Sequence, residues 1–515
     1  MSISPRSRRS PAAVLAARWL AAGAAVALTA CAVGPNFVRP APPAADHYAP
    51  GSDPKTTAEA AGEAQRFDRG ARLSGDWWTL FGSEELDGLM RDAAAGNQTL
   101  QAALASLRSS QDNLRAGYGI FYPQLGLDAA ASRQRVTLVR FGQTSSAATI
   151  FNLFSLSGTI SYALDVFGGQ RRTVESLQAQ ADAQAYTAAA AYVTLTANVV
   201  DTVIARASYA ELARATEDLV GDQREQVEIT EAQAEAGTVP YASALALRSQ
   251  LSSVEATIPP LEQRVSQADH LLATLAGRLP SEWKAPPVGL SDLKLPESLP
   301  VSIASDFVHQ RPDILVAEAR LHQASAEVGV ATAALFPSIT LNASLGGNNT
   351  TLNTLFSPQG IFWSVGAGLA APLFQGGTLV QKRRAAIDAY DQAMSDYRQS
   401  VLVGFSQVAD VLRALENDAD ALAAQERAMS SADEALRLVR ANYDSGVSNY
   451  VQVLIAFAQY HQARIGYVQA RAQRLQDTVA LFVALGGGWW DPGKSLLTAA
   501  GGPSAFGAAP SAGKP

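Results

Sequence analysis

Two stretches of nearly equal length contain no proline. Between Gly169 and Gly237 lie 67 residues, and between Gly377 and Gly446 lie 68. Gly221 and Gly404 are the only glycines inside them. A helix of that length spans roughly 100 Å at 1.5 Å per residue. A helical run so long, without caps, points to a coiled coil or helical array, not to a compact domain. The composition agrees: 48 % of the 515 residues are hydrophobic, much of that alanine, and only 17 % are charged. Small side chains let long helices approach closely. A mean hydropathy of +0.02 is too low for a bundle of membrane helices. A net charge of −7 speaks against nucleic acid as a partner. One cysteine excludes an intramolecular disulfide framework and any Cys-rich metal cluster.

The paired long runs belong to a larger repetition, with landmarks that recur in order at nearly constant spacing. Pro123 and Pro337 are 214 positions apart, within Phe121-Tyr122-Pro123-Gln124-Leu125 and Leu335-Phe336-Pro337-Ser338-Ile339. Gly169 and Gly377 are 208 apart, after Val166-Phe167 and Leu373-Phe374. Gly237 and Gly446 are 209 apart, and Gly277 and Gly487 are 210 apart. Each unit opens with a helix, about Asp87–Tyr118 and about Ser302–Leu335. A hairpin follows, then the long helix, then a return helix. Ile258-Pro259-Pro260 interrupts the first return helix only. Residues 40–76 and 279–300 read as irregular, rich in proline.

The hairpin strands alternate. Ile339, Leu341, Ala343 and Leu345 alternate with Thr340, Asn342 and Ser344. Ile361, Trp363, Val365, Ala367 and Leu369 alternate with Ser364, Gly366 and Gly368. Apolar residues on one face and small polar ones on the other fit a membrane β-barrel strand. A half-buried strand of a soluble sandwich shows the same pattern. With only two hairpins, no second sheet is available to cover it. Four strands cannot close a barrel, and open edges are not tolerated in lipid. Strands from several chains must therefore combine.

The amino terminus carries Arg6, Arg8 and Arg9, a short apolar stretch, and Leu28-Thr29-Ala30-Cys31. A basic region, a short apolar core and a small-residue cleavage site read as a signal peptide. Leu-Thr-Ala-Cys resembles the bacterial lipobox, which implies a covalent lipid on Cys31, N-palmitoyl and S-diacylglycerol. Ala32, following it, resembles an outer-membrane address. Cleavage removes four arginines and no acid, which takes the net charge from −7 to −11.

Several motifs together resemble the TolC-type outer-membrane channel family, in particular the NodT-like lipoproteins of tripartite efflux systems. They are Cys31-Ala-Val-Gly34-Pro35-Asn36-Phe37, Trp77-Trp78-Thr79-Leu80-Phe81, Gln310-Arg311-Pro312-Asp313-Ile314, Pro372-Leu373-Phe374-Gln375-Gly376-Gly377 and Tyr443-Asp444-Ser445-Gly446-Val447-Ser448-Asn449-Tyr450. The resemblance covers essentially the whole mature chain. It implies a membrane α+β fold, a homotrimer with a twelve-stranded outer-membrane barrel continued by a long helical barrel in the periplasm. It implies three partners: a periplasmic adaptor (membrane fusion) protein, an inner-membrane efflux pump, often of the resistance-nodulation-division type, and outer-membrane lipid. The expected divisions are a signal peptide (1–30), a lipidated extended segment with an equatorial region (31–86), and a first unit (87–277). A linker (278–301), a second unit (302–487) and a flexible tail (488–515) complete the chain. Within the units the expected hairpins are 123–167 and 337–374. The long helices are 170–236 and 378–445, and the return helices 238–275 and 447–485.

No catalytic constellation, cofactor motif or metal-ligand spacing is legible. His47, His270, His309, His322 and His461 are scattered. Gly366-Ala-Gly368 lies inside an alternating strand, not between a strand and a helix. The expected function is a passive exit duct for drugs or other small molecules. An exit channel for type I protein secretion is the alternative. By the resemblance, Tyr443, Asp444 and Gln452 are candidates for the periplasmic gate. Family members often carry an Asp after the Val-Leu pair of the return helix; here Val453-Leu454 is followed by Ile455. Ile455 is either an apolar gate residue or an ordinary interhelical contact. The turns around Gly237, Val239, Gly446 and Ser448 are candidates for adaptor docking; the alternative reading is that the glycines only permit the chain reversal, and both can hold.

Overall fold

The computed structural model describes residues 32–45, 47–49, 53–136, 148–303 and 307–491. Cys31, the signal peptide and residues 492–515 lie outside the described residues. In chain order the elements are β1 (Arg66–Arg69), α1 (Glu84–Gly96), α2 (Gln98–Gly117), β2 (Gln124–Val136), β3 (Thr149–Leu164), α3 (Gly169–Glu235), α4 (Tyr241–Glu255) and α5 (Ile258–Leu275). There follow β4 (Ser298–Val301), α6 (Pro312–Ala333), β5 (Ser338–Asn349), β6 (Ile361–Ala370), α7 (Thr378–Asp444) and α8 (Tyr450–Ala484). Helix, strand, strand, long helix and return helix thus occur twice in the same order. Both α3 and α7 are 67 residues long.

The chain divides into two compact units. One comprises residues up to Arg39, Ser109–Asp182 and Glu318–Ser395; the other comprises Pro40–Arg108, Ala183–Ala317 and Asp396 onward.

The first unit holds an antiparallel sheet in the order β2-β3-β5-β6. Its registers sort the side chains by face. Leu125, Ile160, Ala343 and Val365 lie in one row across the sheet, and Leu127, Gly158, Leu345 and Trp363 in another. Gly126, Thr159, Ser344 and Ser364 form a row on the opposite face, where the Ser344 and Ser364 hydroxyls meet at 2.8 Å. The apolar face is bare: Leu125 is 80 %, Trp363 74 % and Val365 76 % exposed. At the strand ends, Gly168 (φ +78°), Gly376 (+58°) and Gly377 (+82°) turn the chain into the long helices. Asp165 caps α3, accepting from the Gln170 and Arg171 amides at 2.9 and 3.0 Å. A carboxylate there also complements the positive helix N-terminus.

The segment from Ala32 to Arg39 is docked on this unit. The Val33 amide donates to the Phe167 carbonyl at 3.0 Å. Arg172 donates to Asn36 at 2.7 Å, and Phe37 stacks on His322 with ring centroids 4.4 Å apart. Arg39 pairs with Glu318 at 2.6 Å. Gly34 is in the left-handed region (φ +95°), and a Cβ there would sit 2.6 Å from the Gly329 Cα. The Gly-Pro-Asn-Phe motif is therefore a close-approach and docking motif.

The second unit is held by apolar layers between helices. Trp77, within a short 3-10 helix (Trp77–Phe81), is fully buried, its ring 5.3 Å from Phe482. Arg311 bonds the Ala484 carbonyl, Gln407 and Asp313 at 3.0, 2.6 and 2.6 Å. Arg474, 1 % exposed, donates to Thr57 Oγ1 at 3.1 Å and to the carbonyl of Glu63 at 3.3 Å, which ties residues 57–63 to α8.

Four features differ from the sequence expectation. The first helix is two: Asn97 ends α1 and caps α2 by accepting from the Leu100 amide at 2.9 Å, while Gly96 lies against the Ala276 carbonyl, where a Cβ would be only 2.3 Å away. In the second unit of sequence α6 begins at Pro312, well after Ser302, because proline at the first turn sets the helix start. The two stretches expected to be irregular contribute β1 and β4, which pair in parallel from Arg66–Ser298 to Arg69–Val301. The tail expected from 488 is not free at its start: Trp489 is 6 % exposed and donates to the Gln310 carbonyl at 2.9 Å. The interruption before Ile258 is present, with α4 and α5 separated at Ala256-Thr257, whereas α8 runs unbroken.

Candidate functional site at the helix turns

Gly237 follows α3 and Gly446 follows α7, with φ of +75° and +74°. A Cβ added at either meets nothing within 4 Å, so the requirement is conformational, not steric. Both turns close alike. The Thr238 amide donates to Gln233 at 2.9 Å and the Val447 amide to Asn442 at 2.8 Å, the backward bond of a glycine-terminated helix. Asn449 caps α8 by accepting from the Gln452 amide at 3.2 Å. Val239 and Ser448 are half-buried, and Ser448 Oγ donates to the Val439 carbonyl at 3.4 Å.

Behind the turns four helices share an apolar layer. Leu219, Val220 and Val227 of α3 meet Leu247, Leu251 and Val254 of α4, Leu436 of α7, and Val453, Ala456 and Phe457 of α8. The spacing Val453, Ala456, Phe457 leaves Ile455 off the packed stripe, and Ile455 is 54 % exposed. Within one chain Ile455 therefore takes no part in this apolar layer. Asp444 and Gln452 are also exposed.

Tyr443 is half-buried, its ring edge-on to Tyr450 with centroids 5.3 Å apart. Burial, and then Tyr443, push the Tyr450 phenol above its ordinary range, so it stays neutral. Arg440 donates to Asp222 at 3.2 Å and lies over the Phe457 ring at 5.4 Å. Asp222, Gln223, Gln226, Tyr443, Tyr450 and Phe457 line a cleft of 210 Å³. Gln223 Oε1 and Gln226 Nε2 are buried there without a partner. Sequence reasoning named Tyr443 and Asp444 but missed Arg440, Gln223 and Phe457. Such a cleft can hold helices together or release them; it offers no nucleophile with its base. Among the described residues no group of three or more His, Cys, Asp or Glu is placed to hold a metal.

Farther along the same helices, Asp201 of α3 and Asp418 of α7 both lie beside Asp477 of α8. Burial, then the Asp477 hydrogen bond and charge, push the Asp418 carboxyl up to about 7. Burial and then Asp477 push Asp201 up to about 6.

The two halves of the chain, residues 89–278 and 303–487, each match the profile of the outer membrane efflux protein family. The chain belongs to that family. Membership makes it an outer-membrane export channel protein. It is 30 % identical over 490 residues to outer membrane protein OprJ of Pseudomonas aeruginosa, covering 93 % of this chain and 97 % of that one. It is 30 % identical over 418 residues to the pyoverdine export outer membrane protein OpmQ of the same species, covering 80 % and 87 %. Its fold matches the solved outer-membrane channel OprN with a TM-score of 0.79 at 25 % identity, covering 89 % and 100 %. Of the candidate residues, Gly237 and Val239 fall in the first family match, and Tyr443, Asp444, Gly446, Ser448, Gln452 and Ile455 in the second.

Proposed function

We propose that three copies of this chain close a twelve-stranded barrel in the outer membrane, each copy built from two duplicated units, and that the trimer is a passive exit duct for small molecules. The observation that carries this is the bare sheet. Its apolar row of Leu125, Ile160, Ala343 and Val365 has no covering layer in its own unit, and its outer edges on β2 and β6 are open among the described residues. In lipid an apolar outer face is required and an open edge is prohibitive. The opposite face of Gly126, Thr159, Ser344 and Ser364 suits a water-filled lumen. One chain supplies four strands, and only further copies complete the ring.

The long helices continue as a tunnel wall, and their turns meet a periplasmic adaptor fed by an inner-membrane pump. Cys31 carries N-palmitoyl and S-diacylglycerol groups that anchor the amino terminus. The energy for transport comes from the pump, and no enzymatic step is assigned to this chain. The name of OpmQ, an exporter of pyoverdine, favours small-molecule export over protein secretion. Purified protein reconstituted in planar bilayers tests the reading: a trimer by mass with stepwise, ungated-at-rest or gated conductance is expected, and a monomer that leaves the bilayer insulating would overturn it.

A further inference from the structure

We propose that the polar face of the sheet carries a binding site for organic cations, made by the Asp128 carboxylate, the Ser157 hydroxyl and the Phe362 ring lying over Gly346. The site rests on the barrel reading above, which makes that face the lumen wall, and gives the wall a class of solute to select.

The registers place the four residues in one row. Asp128 lies opposite Ser157, Ser157 opposite Gly346, and Gly346 opposite Phe362. Side chains alternate between faces along a strand. This row is two residues from that of Gly126, Thr159, Ser344 and Ser364, and so shares its face.

Asp128 is exposed there. Among the described residues it is the one charged side chain that β2, β3, β5 and β6 place on the polar face. Arg133 and Arg135 fall on the apolar face. Asp165, past the end of β3, is taken up by Arg171 at 3.1 Å. No described strand of this or any further copy can therefore bring a basic residue to Asp128 across the polar face. Its charge is left to water and to passing solute, and rings of carboxylates favour cations in pores.

A glycine places the aromatic ring. A Cβ on Gly346 would sit 2.9 Å from Phe362 Cζ, 2.7 Å from Ser157 Cβ and 2.5 Å from the Leu156 carbonyl oxygen. A side chain at 346 would therefore displace the ring, which instead reaches across β5 to the flank of Ser157. Asp128 stands on the far side of Ser157, about two strand spacings, roughly 10 Å, from the ring tip. A cationic head joined to a flat apolar body matches that layout. The head meets the carboxylate and the body meets the ring. A small inorganic cation engages the carboxylate alone, a neutral arene engages the ring alone, and an anion is repelled.

The strength of the charge selection follows from the size of the ring. Twelve strands at about 4.8 Å spacing and about 40° of tilt close at a radius of about 12 Å. The Debye length is about 30 Å in 0.01 M salt and about 10 Å in 0.1 M. Three carboxylates on that wall then enrich a monovalent cation at the axis about threefold over a neutral solute in 0.01 M salt, and about 1.7-fold in 0.1 M. Enrichment is greater at the wall, where the ring adds its own contact.

Photolabelling reads local concentration at the wall. Full-length protein in detergent and 0.01 M salt is irradiated with 4-azidobenzyltrimethylammonium or with neutral 4-azidobenzyl alcohol, and label on the strand bearing Ser157 is quantified by mass spectrometry. The cation should label it at least about threefold more than the alcohol does, with the ratio falling as salt rises to 0.1 M. Asp128→Asn should bring the cation down to the level of the alcohol. Phe362→Ala should lower labelling by both probes at least about twofold. Arg133→Gln, on the opposite face, should leave both unchanged. The size of the same protein is measured by light scattering. A trimer in which Asp128→Asn keeps the wild-type ratio, or Phe362→Ala keeps the wild-type labelling, overturns the site and leaves the barrel standing. A protein that is monomeric overturns the barrel reading, and the lumen site with it.

Discussion

Arg440 on α7 is bound at both ends of its reach: it pairs with Asp222 of α3 at 3.2 Å and lies over Phe457 of α8 at 5.4 Å. One side chain thus ties three helices beside the second turn. Both charges are exposed, at 45 % and 58 %, so the pair contributes under about 1 kcal/mol to stability. Its effect lies in holding helix spacing. Arg440→Ala should leave the melting temperature within a few degrees while raising the open fraction in single-channel recordings severalfold. Conductance identical to wild type would remove Arg440 from the gate.

Ile455 and Tyr443 test the gate from another side. Ile455 is exposed beside the packed stripe, where an apolar side chain can close a pore by dewetting. Ile455→Ser should increase leak conductance with little loss of stability, because the side chain is not part of the core. Tyr443→Ala, which removes the ring against Tyr450, should increase leak and also lower stability by about 1–2 kcal/mol. Closed-state recordings that match wild type for both would exclude these two residues from the constriction.

The turns separate conformation from docking. Gly446→Ala meets no atom but must hold a positive φ, at a cost of about 1–2 kcal/mol. It should lower thermal stability modestly and leave conductance intact. Photocrosslinkers at Val239 and Ser448 should capture a co-expressed adaptor. Capture at neither position would confine the glycines to chain reversal.

The Asp418 carboxyl, raised to about 7 against an ordinary value near 4, predicts a pH dependence. The folded state binds more protons than the unfolded state between those values, so stability falls as pH rises from about 4 to about 7. Asp418→Asn should flatten that slope and raise the melting temperature at pH 8. A variant with the wild-type slope would assign the dependence elsewhere.

Lipidation is a direct chemical question. Labelled palmitate should enter the wild-type protein, and Cys31→Ser should abolish the label; a labelled variant would overturn the anchor.

What the sequence disclosed followed from periodicity. Proline-free runs can only be read one way over 67 residues, and alternation such as Ile339-Thr340-Leu341-Asn342 marks a sheet whose two faces meet different media. Short elements lack that redundancy. Arg66–Arg69 and Ser298–Val301 have four residues each, too few to show a period, and one contains Pro300. Asn97 ends a helix through its own side chain and through the Gly96 contact with Ala276, a neighbour distant in sequence. Arg440 and Asp222 are 218 positions apart, so no local pattern could pair them. Tyr443 and Asp444 came into view through the family resemblance of the motif around Gly446, not through any physical pattern of their own; Phe457 was hidden as one apolar residue among several on α8.

The docking of residues 32–39 has a mechanical consequence for the anchor proposed at the amino terminus. Ala32 lies where a Cβ on Gly168 would touch its Cα at 2.7 Å, and the Val33 amide is bonded to Phe167. From Ala32 onward the segment therefore has no slack: whatever the proposed lipidation adds ahead of it would start from a fixed point beside the turn at Gly168, not from the end of a free tether.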